Sequence, residues 1–171
     1  FLDKIDEGHY IFNDTDVSTL SENKRSEYRA KYAGFVFQQF NLIDTINVYQ
    51  NIEVPLIYAG VKDKNKRKEL IYEKLNQVGL SDKALSSPNH LSGGQKQRIA
   101  IPRAIVNSPK IIFADEPTGA LDSETGRDIM ELLSSLNKNG TTVIMVTHDQ
   151  DMTKYASRVI TLKDGAFVEE V

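Results

Sequence analysis

The feature that most limits the fold is the run Ile111-Ile112-Phe113-Ala114, four apolar residues in succession closed by Asp115 and Glu116. A strand with one wet face alternates apolar and polar residues. An unbroken apolar run is the pattern of a strand covered on both faces, as in parallel sheets flanked by helices. A second run, Val143-Ile144-Met145-Val146, reads the same way and leads into Thr147, His148 and Asp149. Between the two, Ile129, Leu132, Leu133 and Leu136 follow i, i+3, i+4, i+7 and predict a helix over 123–137. Strands alternating with helices imply an α/β fold with a mainly parallel sheet.

The rest of the chain is compatible with that class. Residues 10–12 and 34–37 are short β-rich pieces, and residues 46–58 are apolar at mixed spacing with Pro55 among them. Residues 66–78 read as a helix, with Ile71, Leu75 and Val78 on one stripe and Gly79 as its stop. Residues 92–107 read as another helix. Asp164-Gly165, set between 159–162 and 166–168, predicts a hairpin. The lysine-rich stretch 62–68 reads as a solvated loop and helix start.

Composition removes several function classes. There are no cysteines, so disulfides, thiolate metal sites and cysteine nucleophiles are out. A formal net charge of -3 supplies no global basic field for nucleic acid or anionic lipid. No apolar run approaches the ~18 residues of a membrane span. With 40% hydrophobic and 26% charged residues, the chain can bury a core.

Four groups of residues carry chemistry. Ser92-Gly93-Gly94-Gln95, after Leu91, is a Ser-Gly-Gly turn opening a helix. Backbone N–H groups at the positive end of a helix dipole form an anion site, and glycines let a phosphate come close. The plain alternative is an ordinary capped helix start. Asp115 and Glu116 stand at the C-terminal end of a buried strand, where α/β sheets place their sites. Asp115 can hold Mg²⁺ and Glu116 can orient and deprotonate a water, though acidic residues also end strands for purely structural reasons. His148 ends the second apolar run, and it becomes functional only beside Asp115 and Glu116. Gln38 ends the β-rich run Phe35-Val36-Phe37 and by itself says almost nothing.

Together these residues resemble the ABC transporter ATPase family. Leu91 to Gln95 matches its signature sequence, and 111–116 its Walker B strand. Gly119-Ala120-Leu121-Asp122 looks like its D-loop, His148 its switch histidine and Gln38 its Q-loop, all in family order. The resemblance covers essentially the whole chain and is greatest to the branch for lipoprotein release and for macrolide and antimicrobial-peptide export. It implies a P-loop NTPase-like sheet with an N-terminal β piece and Q-loop over 1–40. A small helical subdomain would follow over 41–90, and the signature helix, Walker B strand, D-loop, switch histidine and hairpin over 91–171.

The resemblance also implies a mechanism. ATP and Mg²⁺ are the ligands. Two subunits, most simply a homodimer, face each other head to tail around two ATP molecules. Ser92, Gly93, Gly94 and Gln95 serve the partner's nucleotide, and Asp122 crosses the seam. Asp115 and Gln38 hold Mg²⁺, Glu116 is the base, and His148 meets the γ-phosphate. A membrane permease is the further partner, which places the subunit in the cytoplasm on the inner face of the membrane. No nucleic acid is involved.

Two departures stand out. The family's G-x-x-x-x-G-K-[ST] phosphate loop does not occur, since no Gly is followed by Lys. The expectation is a truncated sequence rather than a degenerate ATPase, because every later motif is intact. Alone, these residues are expected to be inactive and poorly folded. Pro102 falls inside the signature helix, where a lost backbone bond, costing about 3 kcal/mol, predicts a kink. The competing readings are a non-catalytic or partner-binding remnant and a DNA-repair or chromosome-maintenance ATPase head. The latter inserts a long coiled coil between Gln38 and Leu91, and 91 − 38 = 53 residues leave no room for one.

Overall fold

The computed structural model describes Asp3 and residues 5–170. Its centre is a three-stranded parallel sheet in the order β3-β4-β5, with β3 at Ala33–Phe37, β4 at Ile111–Asp115 and β5 at Thr142–Val146. Two antiparallel hairpins flank it in sequence. Strands β1 (Ile11–Phe12) and β2 (Thr15–Asp16) form the first, and β6 (Ile160–Lys163) and β7 (Ala166–Glu170) the second. Asp164 and Gly165 both have positive φ, 51° and 79°, as the tight hairpin turn requires.

Among the described residues five α-helices complete the fold: α1 (Glu22–Tyr32), α2 (Val48–Tyr58), α3 (Lys64–Gln77), α4 (Gly93–Ile105) and α5 (Ser123–Lys138). The sequence pattern did not indicate α1, because its only buried residue is Arg25 and it has no apolar stripe. Residues 46–58 settle into α2 despite Pro55. A capping box closes the start of α2, with Asn47 accepting from Gln50 N–H at 2.8 Å and Gln50 accepting from Asn47 N–H at 3.0 Å.

Helix α4 joins two cores. Ile99 packs with Val48, Ile52 and Leu56 of α2 and with Ile71 and Leu75 of α3. Ile101, Ala104 and Ile105 pack with Val36, Ile112 and Ala114 of the sheet and with Ile129 and Leu133 of α5. Each fully buried aliphatic side chain contributes about 1.5–3 kcal/mol, so α4 anchors the helical region and the sheet at once. The approach of α4 to β3 is close: a Cβ at Gly34 would overlap the carbonyl oxygen of Ala104. Helix α4 runs unbroken through Pro102, which is itself buried.

One expectation about the strands fails. The run 143–146 reads as a strand covered on both faces, yet Ile144 is 44% and Val146 61% exposed. Among the described residues β5 pairs with β4 alone, and α4 and α5 cover only the sheet face that carries Ile112, Ala114, Val143 and Met145. The other face carries Phe35 and Phe113, stacked at 5.4 Å between ring centroids, with Ile144 in the same cross-strand row.

Candidate active site

Sheet register brings the predicted residues together. Phe37 of β3 pairs with Asp115 of β4, and Asp115 with Val146 of β5. Gln38, Glu116 and Thr147 therefore leave three adjacent strands at the same end, followed by His148. This is the carboxyl end of a parallel sheet, where the chain must turn away and side chains of successive strands converge.

Glu116 is held from several sides. Its backbone has φ +45°, the left-handed region that a non-glycine residue seldom occupies. Its N–H donates to Val146 O at 2.9 Å, which fixes it to the end of β5. The carboxylate accepts from His148 N–H at 2.9 Å and from the Thr147 hydroxyl at 3.2 Å, and His148 Nδ1 lies 2.5 Å from Oε1. Burial pushes the carboxyl pKa up, but the His148 and Thr147 hydrogen bonds outweigh it, and the group stays below the usual glutamate range. It is thus ionised at neutral pH. Its side chain is 18% exposed while that of His148 is 83% exposed, so the pair is open to solvent on the histidine side.

Asp115 lies exposed at the tip of β4, and Gln38 is also exposed. Among the described residues no three acidic or histidine side chains form a metal cage. Mg²⁺ does not need one, since it keeps several waters and takes one or two carboxylates with substrate phosphate. An exposed carboxylate with a neighbouring amide suits it. The Gln38 amide now sits against the loop after β4, where a Cβ on Gly119 would come within 2.7 Å of Nε2.

The predicted signature residues stand at the start of α4. Ser92 is its N-cap: Ser92 Oγ accepts from Gln95 N–H at 3.3 Å, and Gln95 Oε1 accepts from Ser92 N–H at 3.0 Å. Both side chains predicted to meet nucleotide are therefore engaged in a capping box in this structure. The two glycines differ. A Cβ on Gly93 would lie 3.7 Å from Leu121 Cδ2 and 3.7 Å from Phe40 Cζ, ordinary contacts. A Cβ on Gly94 would lie 2.5 Å from Thr125 Cγ2 of α5. A side chain at 94 is thus opposed by Thr125 of α5, whereas among the described residues only ordinary contacts surround 93. Asp122 caps α5, accepting from Thr125 N–H at 2.9 Å and the Thr125 hydroxyl at 2.7 Å. These bonds hold its carboxyl below the usual range.

Three further residues at the site were not singled out in the sequence. Thr147 supports Glu116. Gln97 donates to Pro117 O at 2.6 Å. Arg103 donates to the carbonyls of Phe40 (2.8 Å) and Asn41, just past Gln38. A polar side chain on the inward stripe of a predicted helix was the available clue for Gln97.

A parallel sheet with an acid pair at one strand end and a capped Ser-Gly-Gly helix start makes this an α/β protein with polar groups gathered at the carboxyl ends of its strands. Residues 2–119 match the family model described as ABC transporter. The ABC transporter ATP-binding protein MJ1508 of Methanocaldococcus jannaschii is 48% identical over 98% of this chain and 75% of its own length. The macrolide export ATP-binding/permease protein MacB of a Shewanella species is 42% identical over 99% of this chain and 26% of its own. A dimeric structure of the ATP-binding cassette MJ0796, in a post-hydrolysis state bound to ADP and Pi, superimposes with a TM-score of 0.89 at 43% identity. That match covers 99% of this chain and 75% of the other. This chain belongs to the ABC transporter family and is similar to its ATP-binding proteins. No helix among the described residues is long and apolar enough to cross a membrane.

Proposed function

We propose that this subunit drives a membrane permease by closing on ATP as a head-to-tail homodimer, with Glu116 as the base that orients and deprotonates the attacking water. The observation that carries this is the Glu116 carboxylate, ionised and fixed by His148 and Thr147 at a solvent-open strand end. A general base must be deprotonated at the working pH and held in one direction, and both conditions are met. Asp115, with Gln38, would hold Mg²⁺, which supplies charge neutralisation at the phosphates. His148 keeps the base aimed and is exposed enough to meet a phosphate oxygen.

The dimeric MJ0796 cassette supports the paired arrangement. So does Gly93, where a Cβ would meet only ordinary contacts among the described residues. In this reading Ser92, Gly93, Gly94 and Gln95 present helix N–H groups to the partner subunit's nucleotide, and Asp122 lies at the seam. The MacB relative joins an ATP-binding region to a permease in one protein. By that likeness this subunit works at the inner face of a membrane on an export-type permease.

The test is turnover by Glu116→Gln in the intact protein. Steady-state hydrolysis should fall to background, while ATP binding persists and the closed dimer accumulates. Near-normal turnover would remove Glu116 from the chemistry. In mixed dimers, Gly93→Asp on one subunit should abolish signature contact at one of two sites. Loss confined to the mutated subunit's own nucleotide would refute the paired arrangement.

A further inference from the structure

Gln97 is an anomaly in the core. Its side chain is 0% exposed. Nε2 donates to Pro117 O at 2.6 Å, while Oε1 is buried with no hydrogen-bond partner among the described residues. A buried amide oxygen without a partner carries its full desolvation penalty. A methionine would fill a similar space without that penalty. Filling the core is therefore a poor account of this side chain, and what its donor holds is the better one.

The acceptor is the carbonyl immediately after Glu116. Left-handed backbone at a non-glycine residue persists only where the surroundings over-determine it. Three hydrogen bonds do so at Glu116. Its own N–H donates to Val146 O at 2.9 Å, its carbonyl accepts from Gly119 N–H at 3.1 Å, and Gln97 fixes the carbonyl of the next residue. The first two bonds come from the sheet and from the loop itself. The third comes from α4, the helix whose first turn begins at Gly93. Because α4 is continuous from Gly93 to Ile105, any shift of its start carries Gln97 along.

We infer that Gln97 is a positioning residue that couples the aim of the Glu116 carboxylate to the position of the signature helix. Engagement of nucleotide at Ser92–Gln95 is thereby communicated to the base of the same subunit, which serves the other nucleotide. The inference rests on the reading of Glu116 as the base. Gln97 itself touches neither nucleotide nor water.

The experiment compares Gln97→Met, Glu116→Gln and the double variant in the intact protein, by melting temperature, steady-state ATP hydrolysis and single-turnover rate. Gln97→Met should melt no lower than wild type. Its kcat should fall by roughly 10- to 100-fold, the effect of a small misalignment, with KM for ATP unchanged. In the Glu116→Gln background, Gln97→Met should cause no further loss of the residual single-turnover rate, because it acts only through Glu116. Unchanged kcat in Gln97→Met, or an equal fold-loss in both backgrounds, would overturn the coupling. Should the Met variant fail to fold, Gln97→Asn, which keeps the donor on a shorter arm, is judged by the same criteria. Near-normal turnover by Glu116→Gln alone overturns the base assignment and this inference together. Lost turnover there with an unaffected Gln97→Met overturns this inference alone.

Discussion

Nδ1 of His148 lies 2.5 Å from Oε1 of Glu116, and the backbone N–H of the same histidine donates to that same oxygen at 2.9 Å. An ionised carboxylate can only accept, so Nδ1 carries the proton. One residue thus supplies two donors to one oxygen, and Thr147 supplies a third donor to the other. This explains why the carboxyl titrates low although burial works in the opposite direction.

The first prediction concerns pH. The folded carboxyl of Glu116 is depressed below its unfolded value, which is about 4.3. The stability that it contributes is therefore fully present above that unfolded value and is lost as pH falls through the folded one. Carboxyl-carbon NMR titration should find Glu116 below the ordinary glutamate range. In His148→Ala the midpoint should rise, since the side-chain donor is gone. No change in that variant would mean that the imidazole contact is absent in solution.

The second prediction concerns Asp122. The resemblance places it at a dimer seam, but within the chain it satisfies two orphan N–H groups at the start of α5, those of Glu124 and Thr125. Asp122→Ala should therefore lower the midpoint of denaturant unfolding of the intact subunit, the usual effect of losing an N-cap. Asp122→Asn should recover most of that loss. A subunit of unchanged stability would show that the cap is dispensable and leave only a seam role.

Legibility varied with how local the cause was. The strand 111–115, the helix over 123–137 and the hairpin turn at Asp164-Gly165 were legible because periodicity and turn chemistry act within a few residues. Helix α1 was not, since charged residues and i,i+3 pairs such as Arg25–Glu22 shape it rather than an apolar stripe. Strand β5 has one face exposed among the described residues, and an apolar run does not report what lies on each face. At the site, Asp115, Glu116 and His148 were singled out at strand ends, whereas Gln38 took its proposed role from the family resemblance. Gln97, Thr147 and Arg103 act through contacts 20, 31 and 62–63 residues away, which spacing along the chain does not encode.

Arg103 gives the third prediction. Phe40 and Asn41 both have positive φ, 61° and 49°, which is unusual for consecutive non-glycine residues and worst for the bulky phenylalanine. The guanidinium donates to both carbonyls at once, and burial lowers its pKa. A fork that reaches two acceptors is what lysine cannot reproduce. Arg103→Lys should leave the fold intact and raise amide hydrogen exchange across residues 38–42. Unchanged exchange there would mean that the loop holds its shape without the arginine.

The fourth prediction separates the two signature glycines, which look equivalent in the sequence. A methyl group at 94 would meet Thr125 Cγ2 at 2.5 Å, a distance that real Cβ contacts do not adopt, whereas at 93 it would find ordinary contacts at 3.7 Å. Gly94→Ala should therefore destabilise the isolated subunit by about 1–3 kcal/mol, the usual cost of overpacking. Gly93→Ala should change it by less than about 0.5 kcal/mol, as surface substitutions do. Thr125→Ser removes the offending Cγ2 yet keeps the hydroxyl that Asp122 accepts. Added to Gly94→Ala, it should restore most of the lost stability, a favourable coupling between neighbours that additivity does not allow. Gly93→Ala should instead show its defect only when two subunits close on nucleotide, as a loss of ATP-dependent dimer in sedimentation. Equal destabilisation by both alanines, or no rescue by Thr125→Ser, would mean that α4 and α5 do not meet as described. In that case Gly94 would lose its intramolecular explanation and join Gly93 as a residue kept for the partner.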